Sequence, residues 1–195
     1  MEKVSHKIFR VGVTFFLAIT IVFQFLFANL ISSFLLILFF CIWGYQRKIF
    51  KNGQKVLSNI KADWMLMLFL VIFSSLIFIL FYKANPKMFP GYEGYFYLKK
   101  VSLTSGSFWM NLLAWAIAEE VFFRKWIFEF VEKITPKWAF IIALMINGRF
   151  ADFSNNLAML MVNADNYTKH RDILATIFLN VAGRVLSLTI AKIIS

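Results

Sequence analysis

Two adjacent acids stand at the end of an apolar stretch of this sequence. Glu119 and Glu120 follow the run Phe108–Ala118, and Arg124 comes four residues after the second acid. A carboxylate in such a place can take a proton from water as a general base, or it can pair with a cation one helical turn away. Neighbours on an α-helix point about 100° apart, so the two acids can serve different partners.

The composition predicts that these acids lie in a membrane protein. Of 195 residues, 61% are hydrophobic and 19% are aromatic, which is more apolar surface than a soluble domain of this length needs. The formal net charge is +11, but the lysines and arginines lie mainly in short segments beside apolar runs. That distribution is typical of juxtamembrane charge and argues against nucleic acid as a partner.

The hydropathy pattern predicts an all-α, polytopic membrane protein with about six to seven transmembrane helices. Each span needs roughly 20 apolar residues. The basic start Met1–Arg10 leads into a helical hairpin over Val11–Tyr45 that turns near Asn29–Ser33. The later helices are expected at Trp64–Tyr82, Val101–Phe130, Pro136–Phe153, Asn156–Val162 and Ile173–Ile194, with the sixth too short to cross a normal bilayer.

The charge pattern also predicts an orientation. The segment Gln46–Asp63 carries five lysines and arginines, which the positive-inside rule places in the cytoplasm. A hairpin before it then gives a cytoplasmic N-terminus. The abundance of Phe and Lys fits a bacterial genome rich in A and T, so we expect a multi-pass protein of the bacterial cytoplasmic membrane whose first partner is the lipid bilayer.

Further polar residues lie within or at the margins of the later apolar helices. An ionisable group there costs several kcal/mol unless it is paired or hydrated, and it is by default a candidate functional residue. The simplest alternative is that these groups neutralise one another and hold helices together. Besides the acid pair and Arg124, they are Arg149, Asp152, Asn180 and Arg184.

The stretch Glu119-Glu120-Val121-Phe122-Phe123-Arg124 matches the motif Glu-Glu-x-x-x-Arg. It resembles the first motif of the CAAX protease and bacteriocin-processing family of intramembrane metalloproteases, the CPBP or Abi family. The resemblance covers about Val101–Ile194. It implies a division into N-terminal membrane helices, residues 1–100, and a CPBP/Abi-like helical core, residues 101–195.

The resemblance implies that a glutamate of the motif activates water for attack on a peptide bond, beside a metal held partly by histidines from two later helices. No histidine occurs in Ala143–Phe153 or in Ile177–Leu186, where the second and third motifs are expected. Asn147 and Ala151 stand in the second motif, and Asn180 and Arg184 stand in the third. The two histidines, His6 and His170, are expected at solvent or interfacial positions.

Three hypotheses remain. In the first, the chain is a non-catalytic family member, with no metal or cofactor, that acts on a membrane protein or peptide partner in bacteriocin immunity or as an adaptor. In the second it is a divergent, zinc-dependent intramembrane endopeptidase with Glu119, Glu120 and Arg124 as catalytic residues. In the third it is a transport-associated subunit. The first predicts a structural charge cluster in which the motif residues join Arg149, Asn180 and Arg184.

Overall fold

The computed structural model describes residues 2–51, 53–84, 104–150 and 153–194. Only the backbone is described for residues 2–7, 74, 75, 77–84, 144, 147–150, 153–160 and 191–194. Every regular element in these ranges is helical, as the sequence predicts. The helices are α1 (Glu2–Phe27), α2 (Leu30–Gln46), α3 (Gly53–Ala84), α4 (Gly106–Glu119), a π-helix (Glu120–Phe128), α5 (Glu129–Ile134), α6 (Ala139–Phe150), α7 (Phe153–His170) and α8 (Ile173–Ile194).

The predicted hairpin between α1 and α2 is confirmed. Asn29 caps α2, since its Oδ1 accepts a hydrogen bond from the Ser32 backbone N–H at 2.8 Å. The Ser32 side chain in turn accepts from the Asn29 N–H at 3.1 Å, which completes a capping box. A polar cluster then ties the hairpin to α4, because Ser33 Oγ donates to Asn111 Oδ1 at 2.6 Å.

Helix α3 is longer than predicted. The sequence predicts a helix that begins at Trp64, after a basic cytoplasmic segment, whereas the structure begins α3 at Gly53. The reason is an apolar stripe at helical spacing that continues into the basic segment: Ile60, Met67 and Val71 are all buried against α7 and α8.

The helix that carries the acid pair is continuous from Gly106 to Ile134, through α4, the π-helix and α5. The change from α to π geometry occurs at Glu120, within the acid pair itself. The predicted helix Val101–Phe130 instead begins at Gly106 and ends at Ile134, because Thr104 and Ser105 precede it, and residues 101–103 lie outside the described ranges.

Two further boundaries differ from the prediction. Pro136 does not begin the next helix, since it lies in a turn that precedes α6 at Ala139. The short sixth segment Asn156–Val162 is part of α7, which has 18 residues. Polar residues that the sequence places in a loop, such as Asn166, are instead buried and hydrogen-bonded within the bundle. The last helix, α8, has the predicted bounds.

Helix α8 lies between two apolar cores. On one side Ile173 and Ile177 join α1, α2, α4, α6 and the π-helix. On the other side Ala175 and Leu179 pack with α3 and with Val162 of α7. Because α8 contributes to both cores, polar side chains on it can reach α4 and α7 from the centre of the bundle.

One end of the bundle collects the basic residues, and we call it the basic face. It is formed by the start of α1, the end of α2, the start of α3, the end of the π-helix with α5, the end of α7 and the start of α8. Its basic side chains include Arg10, Arg47, Lys55, Lys125 and Arg171.

Three helical segments among the described residues are long and apolar enough to cross a membrane. They are Ile8–Phe27, Gly53–Phe73 and Ile173–Ile190, and the apolar helix Leu30–Gln46 is shorter. Many large apolar side chains on these helices are exposed, including Phe15, Phe16 and Phe69. The structure thus supports membrane character by length and composition.

Candidate functional site

The acid pair lies inside the bundle, where α4 and the π-helix meet α7 and α8. Glu120 is 1% exposed and Glu119 is 9% exposed. Asn180 of α8 and Asn163 of α7 each lie seven residues, or about 10 Å, from the basic-face end of their helix. The site is therefore a buried polar layer below the basic face.

Glu119 is held from α8. Its Oε1 accepts a hydrogen bond from Arg184 Nη2 at 2.6 Å, and its Oε2 accepts from Asn180 Nδ2 at 3.1 Å. Both carboxylate oxygens therefore have a donor, and one of the two donors is a charged guanidinium. Bonds of this charge-assisted kind are stronger than those between neutral groups.

Glu120 is held from two helices. Its Oε1 accepts from Asn180 Nδ2 at 2.7 Å and from Asn163 Nδ2 at 2.9 Å. Its Oε2 lies 3.5 Å from Arg124 Nε, with both side chains 1% exposed. Among the described side chains, Asn180 donates to both acids, and each acid also has a partner of its own.

Asn180 is the centre of the site. Its amide nitrogen donates to both glutamates, while its Oδ1 accepts from Arg184 Nε at 2.8 Å. One neutral side chain thus connects the two acids to the arginine one turn further along α8. The four-residue spacing of Asn180 and Arg184, noted in the sequence, places both on the face of α8 that meets α4.

The π-helix aligns Glu120 with Arg124. A π-helix closes its hydrogen bonds between residues i and i+5, and such segments inside α-helices are frequent at functional sites. The wider turn buries Glu120, Val121, Phe123 and Arg124 together. It therefore allows a full guanidinium and a full carboxylate to be buried in the same helical turn.

The described part of the site is balanced in charge. Two carboxylates face two guanidiniums, those of Arg124 and Arg184. Burying a charge in an apolar bundle is costly unless it is paired and hydrogen-bonded, and here pairing is supplied by side chains of the same chain. The sequence places all of these residues in the charge cluster.

These groups do not form a donor set for zinc. Zinc in proteins is bound by imidazole nitrogen, thiolate or carboxylate, with nitrogen or sulfur ligands usual. Around the two glutamates the described neighbours are amide and guanidinium N–H groups, which donate hydrogen bonds and cannot ligate a cation. Among the described residues no three His, Cys, Asp or Glu side chains come together.

Several residues singled out in the sequence lie outside the described part. The side chains of Arg149 and Asn147 are not described, although both belong to α6, and Ala151 and Asp152 fall between the described ranges. The pairing of Arg149 with Asp152, and the place of Arg149 in the charge cluster, stay predictions.

Comparison with protein-family models, with curated proteins and with solved structures finds no match. The resemblance to the CPBP/Abi family therefore depends on the residues Glu119 to Arg124 and stays a prediction.

Asn163 was missed by the sequence analysis. The predicted sixth helix ended at Val162, one residue before it. The signal that could have found it is the helical spacing of Asn163, Asn166 and His170, which places all three along one side of α7.

A second buried polar network, also missed, lies next to the site and joins α3 to α7 and α8. Asn166 Nδ2 donates to Asp63 Oδ2 at 2.7 Å, and Asn59 Nδ2 donates to Asp172 Oδ2 at 2.9 Å. Asp172 also caps α8 by accepting from the Leu174 and Ala175 N–H groups. Together the two networks hold α3, α4, α7 and α8 in one register.

His170 does not belong to the acid site. His170 is the last residue of α7, partly exposed at the basic face, and the side chain of His6 is outside the described set. The predicted interfacial position of His170 agrees with this placement, although the helix continues through the segment that was predicted to be a loop.

The three hydrogen bonds of Asn180 lead to a first prediction. Asn163→Ala removes one hydrogen bond to a buried charge and should lower the free energy of unfolding by about 1.5–3 kcal/mol. Asn180→Ala should cost clearly more, because both glutamates lose a donor and Arg184 loses an acceptor. The measurement is unfolding of the full-length protein in mild detergent. The matched control is Gln54→Ala at an exposed position. An equal loss of unfolding free energy in Asn163→Ala and Asn180→Ala would contradict the central role of Asn180.

Proposed function

We propose that this chain is a non-catalytic, CPBP/Abi-like integral membrane protein that acts by binding a membrane protein or peptide partner, in a bacteriocin immunity or adaptor role. The observation that carries the proposal is that three of the four carboxylate oxygens accept side-chain hydrogen bonds, while the fourth, Glu120 Oε2, lies 3.5 Å from the Arg124 guanidinium. Glu119 is bound by Arg184 and Asn180, and Glu120 by Asn163, Asn180 and Arg124.

This engagement opposes a role in water activation. A general base must lie within hydrogen-bond reach of the water whose proton it takes, and side-chain donors already occupy oxygens of both glutamates. Each oxygen of Glu119 already accepts a hydrogen bond, and Oε1 of Glu120 accepts two. The arginines supply the positive charge that a metal would supply in a protease, so the proposal includes no zinc.

The buried polar layer has a structural use in this proposal. In a lipid environment, hydrogen bonds between helices help to fix which faces meet, since apolar packing alone distinguishes faces weakly. The site specifies how α4, α7 and α8 pack. Outer helices with exposed apolar side chains, such as α1, are then free to contact a partner within the membrane.

The proposal includes a bacterial cytoplasmic membrane location, a cytoplasmic N-terminus and six to seven helical passes. Its support is the collection of basic residues at one end of the bundle, which the positive-inside rule assigns to the cytoplasm. Helix α6 has only 12 residues, or about 18 Å, so it is the pass that reaches least deeply.

A second prediction tests the non-catalytic role. The chain is expressed in a bacterium sensitive to membrane-active bacteriocins, and survival against a panel of such peptides is measured. We expect protection against at least one peptide. The double variant Glu119→Gln/Arg184→Gln removes both charges but keeps side chains that can hydrogen-bond, and it should protect as well as the natural chain at equal protein abundance. The same result is expected for Glu120→Gln/Arg124→Gln, which removes both members of the second pair.

Two results would contradict this role. One is loss of protection in variants that remain folded and abundant, joined with cleavage of a peptide by the natural chain, which would favour the endopeptidase hypothesis. The other is a change in ion or solute flux on expression, with no protection, which would favour the transport hypothesis.

A third prediction tests the orientation. Cys41 is the only cysteine, so Cys41→Ser gives a background for single introduced cysteines. In whole cells a membrane-impermeant thiol reagent should label Ala28→Cys, in the α1–α2 turn, and should leave Lys51→Cys and Lys137→Cys unlabelled until the membrane is opened. Labelling of Lys51→Cys in intact cells would reverse the proposed topology.

A further inference from the structure

A pocket of about 270 Å³ opens at the basic face, away from the acid site. It lies between the end of α2, the start of α3, the π-helix and the turn from α7 to α8. Its volume corresponds to roughly nine waters of liquid, which is enough for a phosphate group with part of its hydration. Its charged lining consists of Arg47, Lys55, Lys125, His170, Arg171 and Asp172.

Some of these charges are already engaged. Lys125 Nζ donates to Glu129 Oε1 at 2.6 Å. Arg171 forms a bidentate salt bridge with Glu132. Hydrogen bonds from this guanidinium lower the pKa of the Glu132 carboxyl. Asp172 is engaged by Asn59 and by the first amides of α8. The lining therefore has one acid, Asp172, whose two oxygens already accept hydrogen bonds, against four basic side chains, those of Arg47, Lys55, Lys125 and Arg171.

Arg47 and Lys55 have a different position. Both side chains are exposed, and no acid of the described residues lies within ion-pair distance of either. The pocket wall also holds Trp43, whose side chain is buried and whose indole N–H has no hydrogen-bond partner in the described structure. Arg47 and Lys55 are thus two exposed cations with no acid beside them among the described residues, and they suit an anion, while Trp43 adds a buried indole to the wall.

A more apolar groove shares one lining residue, Arg47, with this pocket. Arg47 lines both, and the groove of about 500 Å³ runs along α1 past Val11, Phe15 and Ala18, with Trp126 on its other side. A ligand with a compact negative group and a long apolar chain would match this sequence of surfaces. Basic pockets between helices on the cytoplasmic side of a membrane are known binding places for anionic lipid headgroups.

We propose that this pocket and groove form a binding site for an anionic phospholipid, with the headgroup phosphate at Arg47 and Lys55 and one acyl chain along α1. Arg47 can hold a phosphate through two hydrogen bonds of its guanidinium, while Lys55 adds a point charge. Because Arg47 lines both the pocket and the groove, the site favours a lipid over a free phosphate. A free phosphate would leave the apolar groove unoccupied. This inference is independent of the proposed immunity or adaptor role.

The test measures stabilisation of the full-length protein by added lipid. Melting temperature in neutral detergent is followed while phosphatidylglycerol or phosphatidylcholine is titrated in, since a ligand that binds the native state raises it. We expect a clear rise with phosphatidylglycerol only. Arg47→Gln/Lys55→Gln should weaken the apparent affinity roughly tenfold or more, in line with the loss of two basic contacts to an anionic lipid.

The matched control is Lys51→Gln/Lys137→Gln, which removes the same charge from exposed positions at the same face that do not line the pocket. This variant should keep the affinity of the natural chain. If the pocket variant does not fold, the natural chain itself is extracted from vesicles of equal phosphatidylglycerol and phosphatidylcholine, and lipids retained on it are counted by native mass spectrometry; retained phosphatidylglycerol is expected.

Three results would overturn the inference. Equal weakening by both charge-removing pairs would show attraction to the face as a whole. Equal stabilisation by phosphatidylcholine, or equal retention of both lipids, would show no recognition of the anion. Stabilisation by glycerol phosphate as strong as by phosphatidylglycerol would show a site for a free phosphate compound, with no part for the groove.

Discussion

Two glutamate side chains lie inside an apolar helical bundle, and the arrangement of its central helices depends on how their carboxyl groups are satisfied. A carboxylate in such surroundings needs hydrogen-bond donors and positive charge close by. Asn180 and Arg184 of α8 supply them to Glu119, while Asn163, Asn180 and Arg124 supply them to Glu120. Because the donors come from α7, α8 and the π-helix, satisfying the acids also fixes how these elements pack.

These contacts give the Glu-Glu-x-x-x-Arg motif a structural role that requires no catalysis. In a metal-dependent enzyme, a cation bound by other ligands would offset buried acids and would activate water. Here guanidiniums offset them directly, and the Asn180 amide occupies the space between the two carboxylates. Removal of either partner from such a buried pair would leave an uncompensated charge.

The sequence predicted much of this fold from periodicity and charge. The α1–α2 turn, the bounds of α8 and the all-helical class could be predicted because apolar runs, the Asn29 cap and basic flanks are local signals. The early start of α3 and the full length of α7 could not, since their polar residues are stabilised by partners far away in sequence, such as Asn166 with Asp63. Hydropathy treats such residues as solvated, whereas pairing across helices lets them be buried.

The candidate site, too, could be predicted from the sequence only in part. Spacing predicted that Glu120 could pair with Arg124 and that Asn180 and Arg184 share a face of α8. It could not show which acid each α8 residue would bind, nor that Asn163 would complete the site, because these contacts depend on the packing of α7 and α8. The π-helix was also beyond prediction, since nothing in the apolar run around Glu120 signals a change of helical geometry.

The central claim is that Glu119 and Arg184 form a stabilising internal pair. A double-mutant cycle tests it most directly, with Glu119→Gln, Arg184→Gln and the double variant compared by unfolding of the full-length protein. We expect a favourable coupling of about 1–3 kcal/mol. The double variant should therefore lose less stability than the sum of the losses in the two single variants. A coupling near zero, or a chain stabilised by Arg184→Gln alone, would contradict it.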